Sequence, residues 1–290
     1  NVTVDQGGNA SFQTDVVINS GSVSYQWQYK APGGSWKNIP DTDLMISAVV
    51  RADRSSNNRP EFIELYALND IADLSLYGID VAENNYTSTT AADALNNVSL
   101  SKGSYYYMFY NDSYFDAWAG FDGGAVGVGE YSFEMNYLDG RRPVILYKRS
   151  STNVIDWKIV DDFGGNGEDA FGDPWRYDNA WVKRKNNTLP STTFDFNDWE
   201  MCSGGQNCLN YVNGNSNTNA TIGAQAFPFK TFTSNLPFSN PKTNTLNLTD
   251  VQYDWNGYQI KALIPTLGYA CDVDQETCAA TLTVTPTDTD

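Results

Sequence analysis

The densest run of side chains able to do metal chemistry is Asp161 to Asp173, DDFGGNGEDAFGD. Asp161, Asp162, Asn166, Glu168 and Asp173 are interleaved with glycines, and a glycine-rich backbone can wrap such oxygen ligands around a hard cation such as calcium. The spacing differs from that of an EF-hand loop, so a solvated acidic turn is the competing reading. Calcium is the only cofactor the sequence suggests. Other reactive chemistry is curtailed by composition. The chain holds no histidine, which removes Ser-His-Asp and Cys-His nucleophiles and most catalytic zinc sites. A pair of carboxylates could still hydrolyse glycosides, but no motif selects two of the 35 acidic residues. The chain is read as having no catalytic residues and as not being an enzyme.

Four cysteines form two local pairs, Cys202/Cys208 in CSGGQNC and Cys271/Cys278 in CDVDQETC. Each pair brackets a turn-rich segment, which favours Cys202–Cys208 and Cys271–Cys278 as hairpin staples among the connectivities open to them. The rival, a zinc site, would want tighter spacings and usually histidine. Disulfides imply an oxidising, extracellular setting. That setting makes candidate glycosylation sites of the sequons at Asn1, Asn9, Asn85, Asn97, Asn111, Asn186, Asn219 and Asn247, although an Asn-rich chain produces several by chance. Aromatic side chains supply a binding chemistry of their own. Tyr105, Tyr106 and Tyr107, with Tyr114, Phe115 and Trp118, could stack on sugars or on a partner protein. Consecutive tyrosines on a strand face both ways, so some of them belong to a core.

The elements that must position these residues are strands. Tyr 18, Phe 14, Trp 8 and Gly 23, among many Thr, Ser and Asn, describe a strand-and-turn protein. No window sustains a 3.6-residue apolar period, and Ala91 to Leu95 makes at most a short turn. No apolar run reaches the roughly 18 residues of a membrane span. The net charge of −17 repels nucleic-acid phosphates and keeps a secreted protein soluble. Arg141-Arg142 and Lys183-Arg184-Lys185 are short basic clusters. The chain opens directly on a strand-like Asn1-Val2-Thr3-Val4, the expectation for a mature, processed form without a signal peptide.

Leu44 to Val50 reads as an apolar strand, Arg51 to Arg59 as a polar loop, and Glu61 to Leu68 as a half-buried strand with Phe62, Glu64 and Tyr66 on one face and Ile63, Leu65 and Ala67 on the other. Asn69-Asp70 supplies a turn, and Leu74, Leu76 and Ile79 begin a third strand. Ile46-Ser47, Asn57-Asn58, Glu61 to Tyr66 and Asp73 to Tyr77 resemble the opening of the lamin tail domain, an immunoglobulin-like β-sandwich. Ala48 and Ala67 stand where that family usually has glutamate and asparagine. Leu100 to Tyr110, Pro143 to Lys148, Asn153 to Asp156, Ala180 to Lys185 and Thr192 to Trp199 resemble its later strands in order. Residues 201–241 read as decorated loops.

The flanks carry a different signature. Val2 and Val4 alternate as an edge strand, Ala10-Ser11-Phe12 begins a second, and Ser24 to Tyr29 makes a third with Trp27 inward. With Trp36 after a Pro-Gly-Gly turn, this resembles the first half of the bacterial immunoglobulin-like repeats of surface and secreted proteins. Thr245 to Val251, Asn256 to Ile260 and Ala279 to Val284 resemble the second half, with Tyr258 where a tyrosine corner would fall. The fold class expected is therefore all-β, two immunoglobulin-like β-sandwiches with one inserted into the other. Residues 1–41 and 242–290 form the host, and 42–241 the lamin-tail-like insert.

Together these readings point to an extracellular structural or adhesive protein, secreted or at the cell surface, possible as one subunit of a surface assembly or filament. Its partners would be copies of itself, other surface proteins or glycans, with no nucleic acid and no transmembrane segment. The alternative is a non-catalytic carbohydrate- or protein-binding accessory module of a secreted enzyme. A terminal strand such as Val2 to Val4 could complete its own sheet or pair with a neighbouring copy, and head-to-tail pairing would propagate a filament.

Overall fold

The computed structural model describes residues 1–14, 24–51, 61–81, 93–110, 129–131, 138–165, 172–203, 205, 208–209, 226–234, 238–239, 243–264, 275–276 and 278–286. The chain is all-β. It opens with β1 (Val2–Asp5), β2 (Gly8–Gln13), β3 (Gln26–Lys30) and β4 (Lys37–Asn38). There follow β5 (Leu44–Arg51), β6 (Glu61–Ala67), β7 (Tyr77–Val81), β8 (Asp93–Ala94), β9 (Tyr105–Phe109), β10 (Gly129–Tyr131), β11 (Val144–Lys148), β12 (Lys158–Phe163), β13 (Ala180–Arg184) and β14 (Trp199–Met201). The chain closes with β15 (Phe238–Ser239), β16 (Thr245–Val251), β17 (Gln259–Ile264), β18 (Gln275–Glu276) and β19 (Ala280–Thr285). These strands separate into two compact units: Asn1–Asp41 joined with Asn235–Asp290, and Thr42–Ser234. The second host segment thus begins at Asn235 rather than at residue 242, because β15 pairs with β16, setting Phe238 opposite Leu248.

In the host unit one sheet runs β1-β19-β17-β3-β4, with β18 beside β17, and the other runs β15-β16-β2. Period-2 alternation turns Trp27, Tyr29, Leu246, Leu248, Ile260, Leu282 and Val284 inward, and all are buried. Trp27 ties the two sequence halves together, its indole N–H donating to the Thr243 carbonyl at 2.9 Å. Tyr258 packs its ring on Trp255 at 4.3 Å and stacks on Tyr29 at 6.2 Å. The first strand completes its own sheet, parallel to β19 with Val2 opposite Leu282 and Asp5 opposite Thr285.

In the inserted unit one sheet runs β10-β9-β6-β5-β13-β14 and the other β12-β11-β7-β8. A single apolar cluster draws on both, with Ile46, Ile63 and Val182 from the first and Ile79, Leu146 and Phe163 from the second. Each such side chain contributes on the order of 1.5–3 kcal/mol by leaving water. Leu74–Leu76 is a 3-10 turn instead of the start of a strand, because the Asp73 carboxylate accepts the Ser75 amide and caps it. The third strand starts at Tyr77.

The half-buried reading of the second strand is corrected. All seven residues of β6 are buried. Ile63, Leu65 and Ala67 face the inter-sheet core, and the opposite face is covered by residues 226–234, which belong to the stretch read as decorated loops. Phe229 stacks on Phe62 at 5.4 Å, Phe227 meets the same ring edge-on at 5.4 Å, and Phe232 meets Tyr66 at 4.9 Å. This segment is a packed aromatic strap.

Candidate functional site

Two buried carboxylates dominate the chemistry of the inserted unit. The first, Asp161 on β12, was a candidate calcium ligand, and that assignment is corrected. Asp161 is fully buried and accepts both oxygens' worth of hydrogen bonds from Arg184 on β13, at 2.7 and 2.8 Å. The amides of Ile46 (2.9 Å), Ser191 (2.9 Å) and Asp162 (3.1 Å) donate to the same carboxylate. Burial pushes its pKa up, and the Arg184 guanidinium and these amides oppose that rise. Every donor is an N–H, so only the ionised carboxylate uses them all. Arg184 in turn donates to the carbonyls of Ile46 (2.9 Å) and Leu189 (3.0 Å) and lies over the Trp199 ring at 4.2 Å. The pair is a strut between the two sheets, and its oxygens are already engaged. Asp162 is also buried, one oxygen accepting the Gly165 amide. Asp173 is exposed, and Asn166 and Glu168 lie outside the described residues. Among the described residues no three Asp, Glu, Cys or His side chains gather as a metal site.

The second carboxylate is Glu64 on β6, which sequence reading placed on a strand face but gave no role. It lies beneath the strap. Tyr107 O–H donates to Oε2 at 2.7 Å, Ser47 O–H to Oε1 at 2.9 Å, and the Lys230 amide to Oε2 at 3.1 Å. Lys230 adopts φ 56°, the left-handed conformation that lets the strap turn this amide inward. Burial raises the Glu64 pKa; the bonds from Tyr107, Lys230 and Ser47 and the field of Lys183 counter it. Burial and the neighbouring carboxylate raise Tyr107 well above the usual phenol range. The only sequence signals for this cluster were a lone glutamate between Phe62 and Tyr66 and the spaced aromatics of FPFKTF.

The candidate binding tyrosines are corrected accordingly. Tyr106 and Tyr107 are buried. Tyr105 is half-buried, edge-on to Tyr66 at 5.2 Å with its hydroxyl on the Phe232 carbonyl. The rings of Tyr105 and Tyr107 hold the strap, because β9 sits next to β6 and the strap runs over that seam, whereas Tyr106, opposite Leu65, lies on the inter-sheet core face. Tyr114, Phe115 and Trp118 lie outside the described residues.

Cys202 and Cys208 are bridged, with Cα atoms 6.0 Å apart. Cys278 is exposed and unbridged, and its expected partner Cys271 lies outside the described residues. Asn1, Asn9, Asn97 and Asn186 are exposed, whereas Asn247 sits inside β16, opposite Ser11 on one side and Ser239 on the other. Asn85, Asn111 and Asn219 lie outside the described residues. Among the described residues no helix is long and apolar enough to cross a membrane. Comparison of the chain with protein-family models, curated proteins and solved structures finds no match.

Proposed function

We propose that the chain is an extracellular structural and adhesive protein that acts as a subunit of a surface assembly, by association with its own copies and with other surface components. The parallel pairing of β1 with β19 carries this reading. That pairing, from Val2 opposite Leu282 to Asp5 opposite Thr285, sets β1 at the edge of its sheet among the described strands, and an edge strand is where a neighbouring copy can add to the sheet. Both ends of the pair are fastened beyond the ladder, the Thr281 amide to Asn1 Oδ1 at 3.1 Å and the Gln6 amide to the Thr285 carbonyl at 2.9 Å.

Two further observations support it. The buried carboxylates of Asp161 and Glu64 serve as internal struts, a use suited to a rigid module. The Cys202–Cys208 bridge fits an oxidising compartment. Sedimentation velocity and negative-stain electron microscopy of the full chain test the proposal. End-to-end oligomers that lengthen with concentration are expected; a monomer that persists at high concentration and is not retained on surface material overturns it.

A further inference from the structure

The host unit carries a face whose charge runs against that of the molecule. The chain has a net charge of −17, yet no Asp or Glu occurs from Val16 to Pro40 or from Gln259 to Ile264. The strands in these stretches, β3, β4 and β17, are adjacent in one sheet, and the acid nearest to them in register is Glu276 of β18, opposite Leu263 at the far end of β17. Trp27 and Tyr29 point into the core. The alternate residues Gln26, Gln28 and Lys30 therefore line the other face. Register extends that face, with Lys261 opposite Gln28, Gln259 opposite Lys30, and Asn38 opposite Gln28. Gln28 donates to Asn38 Oδ1 at 2.7 Å, which fixes both carboxamides. Trp36 lies half-buried over the same surface, with the Nζ of the buried Lys261 4.5 Å and that of the half-buried Lys30 5.4 Å from its ring centre.

We propose that this face binds an acidic polysaccharide, a glycan whose sugars carry carboxylate or sulfate groups. This rests on the adhesive reading above and supplies its ligand class. A pyranose ring presents an apolar face that stacks on indole, hydroxyls that pair with carboxamides as both donors and acceptors, and an acidic substituent that the lysines attract. The outer face of a sheet, with side chains repeating along its strands, suits an extended chain of such rings. Nucleic acid is the other polyanion to weigh. Its far denser phosphate charge meets stronger repulsion from the rest of this acidic molecule, whereas one charge per sugar suits a face with a few lysines.

Affinity electrophoresis of the full chain through gels containing polygalacturonate or heparin, with uncharged dextran as control, tests this. Retardation by an acidic polymer but not by dextran is expected, weakened at least tenfold in Trp36→Ala and in Lys30→Glu. Gln28→Ala, a milder surface change, should weaken it several-fold, and near-UV circular dichroism of each variant checks that the host fold is kept. Absence of retardation, retardation unchanged in the folded variants, or tighter binding to a single-stranded oligonucleotide would overturn the proposal. Sedimentation velocity on the same samples separates the two readings. Assembly without polysaccharide binding refutes the ligand alone, and binding without assembly refutes the end-to-end arrangement alone.

Discussion

Glu64 is the residue at which burial and charge conflict most directly. Its carboxyl sits under the strap with Tyr107, Ser47 and the Lys230 amide bonded to it, and burial raises its pKa above the ordinary glutamate value of 4.5. A carboxyl whose folded-state pKa is raised binds its proton more tightly in the fold than in the unfolded chain. Its contribution to stability is therefore complete below the unfolded value and is lost as pH rises through the folded one. Glu64→Gln removes that dependence. Relative to the parent, the variant should gain about 1.4 kcal/mol for each pH unit separating the unfolded and folded values as pH is raised across that window. Urea unfolding of both proteins at pH 4 and pH 8 reads the difference, and parallel pH profiles would refute it. Nothing in the sequence around Glu64 distinguishes it from a solvated glutamate on an alternating strand. What buries it comes from residues far along the chain, and period-2 reasoning cannot see a covering element that is not itself a strand.

At the scale of elements, the strap shows the same limit. Most strands were legible, because β-branched and aromatic alternation at Leu44 to Val50, Pro143 to Lys148 and Thr245 to Val251 obeys local geometry. The strap was not, since Asn, Ser and Pro around it read as loop, and its order comes from the rings it meets on β6 and β9. The buried role of Asp161 was hidden for a related reason: glycine and acid in one run look like a cation loop until Arg184 is found on the neighbouring layer. A strap that is only a linker would tolerate truncation. Phe232 is buried against Met45 and Tyr66. Phe232→Ala should therefore destabilise the inserted unit by about 3–4 kcal/mol, the cost of a phenyl-sized cavity in a packed interior. A change under about 0.5 kcal/mol in urea denaturation, the size expected of a surface site, would show the strap to be peripheral.

For the whole molecule the decisive feature is that one unit is continuous in sequence and the other is not. The insertion was legible because two halves of one repeat-like pattern flank a third pattern, and Trp27 donating to Thr243 is its physical counterpart. The consequence is an asymmetry in folding. Both ends of the inserted unit meet at one place, since Met45 opposite Tyr66 and Phe232 against Tyr66 bring its first and last segments together. When folded, it closes the gap between the host halves as a short connection. When unfolded, it becomes a loop of about 190 residues, and lengthening a connection from about ten residues to that size costs the host about 2.5 kcal/mol of closure entropy. Arg184→Met leaves Asp161 buried without its partner and should destabilise the inserted unit by about 3–5 kcal/mol. At a urea concentration that unfolds this variant's inserted unit but not the parent's, amides of β17 in the host should exchange roughly 70-fold faster than in the parent, as the closure cost implies. The reverse coupling should be absent: Trp27→Ala weakens the host, but the continuous inserted unit keeps its own short connection, so exchange on β6 and β9 stays unchanged. Hydrogen-exchange mass spectrometry on the two variants reads both arms, and equal protection of β17 in Arg184→Met and parent would show that the host does not depend on the insert to close it.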